Sequence, residues 1–251
     1  MNRPWPYPRL FAHRGGGSLA PENTLAAIRV GQSLGYRAHE FDVKLSKDAI
    51  SMLLHDSTLE RTTTGKGRAA DFPWADLVKL DAGAWHSEPF RGERLASFEE
   101  AAKLLRSKGT AANVEIKPTP GFERETGTQV AREAQSLWKG ADVPPLLSSF
   151  SFEALMAAKQ AAPDLARGWL ASELTPEDWG RLEALEAVSF HTDHKKLDVA
   201  AIPKLKERGY RVMVYTVNDV ATAKRLFDAG VDGMFTDNLK EFAAIFPEAL
   251  R

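Results

Sequence analysis

The chain contains no cysteine, which excludes disulfides, thiolate metal sites and cysteine nucleophiles together. It carries no excess of either charge: 33 Lys and Arg stand against 34 Asp and Glu, a formal net charge of −1. Such a balance gives no general attraction to nucleic acid or to an anionic membrane. No uncharged apolar run reaches the length of about 18 residues that spans a bilayer. The N-terminal stretch holds Pro4, Pro6 and Pro8 rather than the apolar core of a signal peptide. Low-complexity tracts, charge blocks and Gly/Ser linkers are also missing, so nothing marks a domain boundary. The expectation is one domain over residues 1–251, cytoplasmic, acting on a small molecule, with no nucleic-acid or membrane partner.

What remains is an ordinary globular composition, 43 % hydrophobic and 27 % charged, set out in a regular rhythm. Short β-branched or aromatic runs recur at 9–13, 37–43, 112–117, 146–150, 166–170, 187–191, 211–216 and 231–236. Amphipathic segments at 22–34, 98–108, 126–138, 152–161, 199–208, 220–229 and 239–246 lie between them. Ser151 and Asp219 stand where helices begin, and Gly209 and Gly230 where they end. This alternation predicts parallel βαβ units. Eight strands predict an α/β fold, a (β/α)8 TIM barrel, with its chemistry at the C-terminal ends of the strands. A doubly wound open sheet is the alternative. One stretch breaks the rhythm. Residues 45–95 hold a hairpin-like run at 50–55, then a polar region with Trp74, Trp85 and His86. It is too long for an ordinary loop. It reads as a small insertion after the second strand that caps one side of the barrel mouth, or as surface decoration.

Several strand ends carry chemistry. The first runs into His13-Arg14-Gly15-Gly16-Gly17. The glycines let backbone approach a ligand closely, and an Arg fork suits phosphate oxygens. The second reads His39-Glu40-Phe41-Asp42-Val43. Residues i and i+2 of a strand share a face, so Glu40 and Asp42 point the same way and His39 points away. Two carboxylates side by side in a barrel interior repel, and a hard divalent cation such as Mg²⁺ or Ca²⁺ relieves that repulsion. The third strand places Glu115 and Lys117 on one face. They form a third metal ligand and a point charge for phosphate, or a plain internal ion pair. His55 closes the hairpin run, and with His13 gives two imidazoles suited to acid–base work near neutral pH. Phe150 and Tyr215 end strands, where they wall a pocket around a small polyol or pack as rim. His86, His191 and His194 are left outside catalysis. Asp237-Asn238 reads as the cap of the final helix.

Taken in order, His13-Arg14-Gly15, Pro21-Glu22-Asn23-Thr24, Glu40-x-Asp42, Leu54-His55-Asp56, Glu115-x-Lys117 and Tyr215-Thr216-Val217-Asn218 resemble the glycerophosphodiester phosphodiesterase family. Each motif is short, but the ordered set covers the chain from end to end. Trp5-Pro6-Tyr7-Pro8-Arg9 leading into Ala12-His13-Arg14 is similar to the bacterial cytosolic members that serve glycerol-phosphate uptake. The resemblance implies hydrolysis of diesters such as glycerophosphocholine or glycerophosphoethanolamine to sn-glycerol 3-phosphate and an alcohol. It implies one divalent metal, Mg²⁺ or Ca²⁺, on Glu40, Asp42 and Glu115. It also implies His13 and His55 as the acid–base pair, with Arg14 and Lys117 on the phosphate. Many members carry Trp where this chain has Tyr215. The nucleophile stays open between water and the neighbouring glycerol hydroxyl. A membrane-acting lipase type would want an exposed apolar or basic rim, which no segment provides. A non-catalytic phosphate-binding barrel would have no use for both histidines.

Overall fold

A computed structural model describes residues 5–251; Pro4 of the proline run lies outside them. The described residues form nine strands: β1 (Leu10–Ala12), β2 (Ala38–Leu45), β3 (Ser51–Leu53), β4 (Ala111–Ile116), β5 (Leu146–Ser149), β6 (Ala166–Ala171), β7 (Ser189–Asp193), β8 (Arg211–Tyr215) and β9 (Gly233–Thr236). Nine helices accompany them: α1 (Leu25–Ser33), α2 (Trp74–Leu77), α3 (Phe98–Ser107), α4 (Glu123–Leu137), α5 (Phe152–Ala161), α6 (Pro176–Ala184), α7 (Ala201–Glu207), α8 (Val220–Asp228) and α9 (Leu239–Ile245). Eight strands run parallel in the order β1, β2, β4, β5, β6, β7, β8, β9. β1 pairs with β2 at Ala12↔His39 and with β9 at Leu10↔Met234, which closes the sheet into a (β/α)8 barrel and rules out the open doubly wound form. β3 pairs antiparallel with the end of β2, Val43 opposite Leu53, and opens the expected insertion.

Strand periodicity sorts the interior. Outward Phe41, Val43, Val114 and Ile116 join the layer packed beneath the helices. Inward Phe11, Ala38, Ala111, Leu146 and Met213, with Tyr7, fill the N-terminal end of the barrel. Further along the same strands the inward residues become Glu40, Asp42, Asn113 and Glu115, all buried. The insertion has its own small core of Met52, Leu54, Leu59, Leu77 and Leu95. Among the described residues, no helix is long and apolar enough to cross a membrane.

Two helices differ usefully from their sequence expectation. α1 starts at Leu25, not at residue 22, because the Thr24 hydroxyl accepts the Ala27 N–H and caps it there. Glu22 and Asn23 are thereby left in the loop that faces the barrel mouth. α6 was absent from the periodic segments. Its signal is local: Thr175 and Asp178 form a capping box, with Pro176 at the first helical position.

His39 ties the first loop to the barrel wall. Its Nδ1 lies 3.0 Å from the Gly15 carbonyl, and a Cβ on Gly31 would meet its ring at 2.6 Å, so only glycine lets α1 lie that close. Burial drops the His39 pKa from 6.5 to about 4, against opposing backbone hydrogen bonds. The unfolded chain therefore binds a proton near pH 6.5 that the folded chain refuses until about pH 4. Stability is full above pH 6.5 and is lost as pH falls toward 4, by about 3 kcal/mol for this group. Urea denaturation should show that decline, and His39→Asn should flatten it by about one proton. An unchanged slope in the variant would remove His39 as its source.

Candidate active site

His13, Arg14, Glu40, Asp42, His55, Glu115, Lys117, Phe150 and Tyr215, named above from scattered motifs, all line one cavity of about 190 Å³ at the C-terminal end of the barrel. β2 supplies Glu40 and Asp42 from alternate positions, and β4, paired with it at Asp42↔Glu115, supplies the third carboxylate. One oxygen from each lies within 4.8 Å of the others. Three buried carboxylates that close do not all stay charged unaided. Burial, then the Asp42 charge, pushes the Glu40 and Glu115 carboxyls above the usual range. Burial would raise Asp42 too, but Lys117, His55 and Arg14 outweigh it and hold it low. An all-oxygen set of this span and charge fits a hard divalent cation.

The cations meet these acids at defined points. Lys117 Nζ lies 2.8 Å from Glu115 Oε1 and 3.8 Å from Asp42 Oδ1. Arg14 has φ +48, a left-handed conformation that its environment enforces. Its backbone N–H donates to Glu40 Oε2 at 2.8 Å, and its guanidinium donates to Glu22 at 2.7 Å. Asn23, also left-handed, donates to Asp42 Oδ2 and accepts the Asp42 N–H. Lys44, one more inward step along β2, donates to the Lys117 carbonyl at 3.0 Å, and burial lowers its pKa to about 8.

Each imidazole has a carboxylate on its Nδ1. His13 Nδ1 sits 2.7 Å from Asp237 Oδ1, and His55 Nδ1 sits 2.7 Å from Asp56 Oδ1. Such pairing fixes the ring and presents Nε2 as the reactive nitrogen. His13 Nε2 lies 3.8 Å from Glu40 Oε2. The pKa values of the two rings are displaced in opposite directions. Burial would lower His13, but the Asp237 bond and the Glu40 charge raise it above an ordinary histidine. Burial lowers His55, with Lys117 and Arg14 adding to that effect against Asp42 and Asp56. Phe150 and Tyr215 meet edge to face at 5.9 Å, and Lys117 Nζ is 5.5 Å from the Phe150 ring centre. His39 points out of the barrel, as alternation requires, whereas His191 reaches the cavity lining.

The residues missed from sequence all lie one contact back. Asp237, read as a helix cap, instead holds His13 and accepts from Asn218 at 3.1 Å; α9 has no side-chain cap bond. Arg61 forks between Glu22 and Asp56 at 2.6–3.1 Å, and so joins the Arg14 loop to the His55 loop. His86 reaches from the insertion to the Ser18 carbonyl. A signal for Asp237 existed in the first-to-last strand closure of a barrel, which sets residue 237 beside residue 13.

Comparison with known proteins agrees with this geometry. Residues 13–241 match the family described as the glycerophosphoryl diester phosphodiesterase family. A glycerophosphodiester phosphodiesterase of Caldanaerobacter subterraneus is 33 % identical over 233 residues, covering 91 % of this chain and 93 % of that protein. One from Bacillus subtilis is 30 % identical over 243 residues, covering 90 % and 82 %. Among solved structures, a phosphodiesterase from Oleispira antarctica in complex with the product sn-glycerol-3-phosphate is 35 % identical, with a TM-score of 0.88 over 96 % of this chain and 97 % of that one.

Proposed function

The chain belongs to the glycerophosphoryl diester phosphodiesterase family and is a phosphoric diester hydrolase; from that premise we propose that it releases sn-glycerol 3-phosphate from small deacylated diesters such as glycerophosphocholine and glycerophosphoethanolamine, in the cytoplasm. The observation that carries the reading is the convergence of three buried carboxylates, two carboxylate-oriented imidazoles, Arg14 and Lys117 on one small cavity. The product held by the Oleispira antarctica neighbour supports it.

Glu40, Asp42 and Glu115 would hold Mg²⁺ or Ca²⁺, whose charge polarises the phosphodiester when bound. Arg14 and Lys117 hold the phosphate oxygens. Phe150 and Tyr215 wall the glycerol carbons. His55, held neutral, takes a proton from the attacking water, or from the neighbouring glycerol hydroxyl, in which case water then opens the cyclic phosphate to sn-glycerol 3-phosphate. His13, held protonated, gives one to the departing alkoxide. The test is release of sn-glycerol 3-phosphate from glycerophosphocholine by purified protein with either metal. Absence of that product with both metals would overturn the reading.

Arg61 makes this arrangement one unit. Arg61→Ala should lower kcat by about 10- to 100-fold, as loss of an orienting partner does. Arg61→Lys should recover only part, since an ammonium does not bridge two carboxylates as a fork. Steady-state kinetics beside a melting curve checks this; wild-type kcat in Arg61→Ala contradicts it.

A further inference from the structure

A second cleft, of about 650 Å³, opens beside the first cavity. The two share His13 and Arg14 as a common wall, whereas His55 and Lys117 line only the first. Trp85 and His86 of the insertion line the second together with Ser18, Asn218 and Asp237. A phosphodiester has two substituents. With the phosphate held by Arg14 and Lys117, one substituent fits the cavity walled by Phe150 and Tyr215, and the other extends along the shared wall of His13 and Arg14. His13 therefore stands at the entrance to the second cleft.

We infer that this cleft receives the departing alcohol, and that Trp85 selects an alcohol carrying a methylated ammonium group. Trp85 is 42 % exposed yet held in place. Its Nε1–H donates to the Ala82 carbonyl at 2.9 Å, and its ring meets His86 edge to face at 5.7 Å. Both His86 ring nitrogens have partners, Ser87 Oγ at 3.0 Å and the Ser18 carbonyl at 3.2 Å. With its N–H committed, the indole offers the cleft only its π surface. The neutral donors nearby are committed as well. The Ser18 hydroxyl donates to the Asp237 carbonyl, and the Asn218 amide donates to the Asp237 carboxylate. A polyol entering this cleft must compete with those bonds. A quaternary ammonium has no N–H to satisfy and is held by an aromatic face. The two carboxylates of the cleft already have cationic partners, Glu22 with Arg14 and Arg61 and Asp237 with His13, so the indole face carries the selection.

The inference rests on the phosphodiesterase reading of the first cavity, and one assay separates the two. Wild type, Trp85→Ala and Trp85→Phe are compared on glycerophosphocholine and on glycerophosphoglycerol, whose departing alcohol is a neutral polyol. Trp85→Ala should lower kcat/KM on the choline diester by about tenfold, through KM, and by less than about twofold on the glycerol diester. Trp85→Phe should restore most of the loss. Equal losses on both substrates, a larger loss on the polyol, or no loss would overturn the inference and leave the phosphodiesterase reading standing. Failure of the wild type on both diesters would overturn both.

Discussion

Replacing His13 with Asn should lower kcat on glycerophosphocholine by about 10²- to 10⁴-fold, the usual worth of one positioned proton donor. The loss should shrink to less than about tenfold on a glycerophosphodiester of p-nitrophenol, whose phenolate departs without a proton. The pH profile carries the same assignment. An acid works only while protonated, so activity falls as pH rises through the His13 pKa, whose strongest support against burial is the Asp237 bond. A base works only while neutral, so activity falls as pH drops through the His55 pKa, which burial lowers. A bell is expected, with its acid limb below and its alkaline limb above the ordinary imidazole value of about 6.5. His13→Asn should remove the alkaline limb. Asp237→Asn should move that limb downward, because it removes the strongest support of the His13 proton. Loss of the acid limb in His13→Asn instead would reverse the two roles.

Replacing Glu40 with Gln should cost about 10³-fold or more in kcat/KM, since a divalent metal held there would have two anionic ligands in place of three. The same change should leave the metal-free protein as stable as wild type or raise its Tm by up to about 3 °C. Gln still accepts the Arg14 N–H that Glu40 Oε2 accepts at 2.8 Å. It also removes one of three buried carboxylates that repel one another. Opposite movements of activity and stability mark a site kept for function rather than for packing. Metal binding to wild type should also release protons, because burial and the Asp42 charge keep Glu40 and Glu115 partly protonated without metal. Each released proton steepens the apparent affinity by about tenfold per pH unit. Calorimetry in two buffers of different ionisation enthalpy reads that number. No proton release, or a destabilised Glu40→Gln that keeps its activity, would contradict the assignment.

The strand rule that residues i and i+2 share a face was enough to pair Glu40 with Asp42 and Glu115 with Lys117, because a strand's local geometry decides it. The barrel followed from counting strand–helix units, and its closure at Leu10↔Met234 is a consequence that local periodicity cannot express. That is why Asp237 was read as a cap. Its neighbour His13 lies 224 positions away in sequence, and only closure of the sheet makes them adjacent. Glu22 belongs to the Pro21-Glu22-Asn23-Thr24 motif, but its neighbours read as helical, and the Thr24 cap overrules that by starting α1 three residues later. Arg61 sits in the insertion, where no period guides the eye, and its role arises from two loops meeting. Most charged side chains that face the cavity are thus visible in sequence, whereas Asn113 and His191 of its lining and the residues that orient the histidines are set by tertiary contact.

The most direct test of the central claim is a chelation and add-back assay. Purified protein is assayed for sn-glycerol 3-phosphate release from glycerophosphocholine in excess EDTA, then with Mg²⁺ or Ca²⁺ restored. Buried carboxylates of Glu40, Asp42 and Glu115 within 4.8 Å of one another predict loss of activity in EDTA and its return with at least one of the two ions. Full activity in excess EDTA would contradict it.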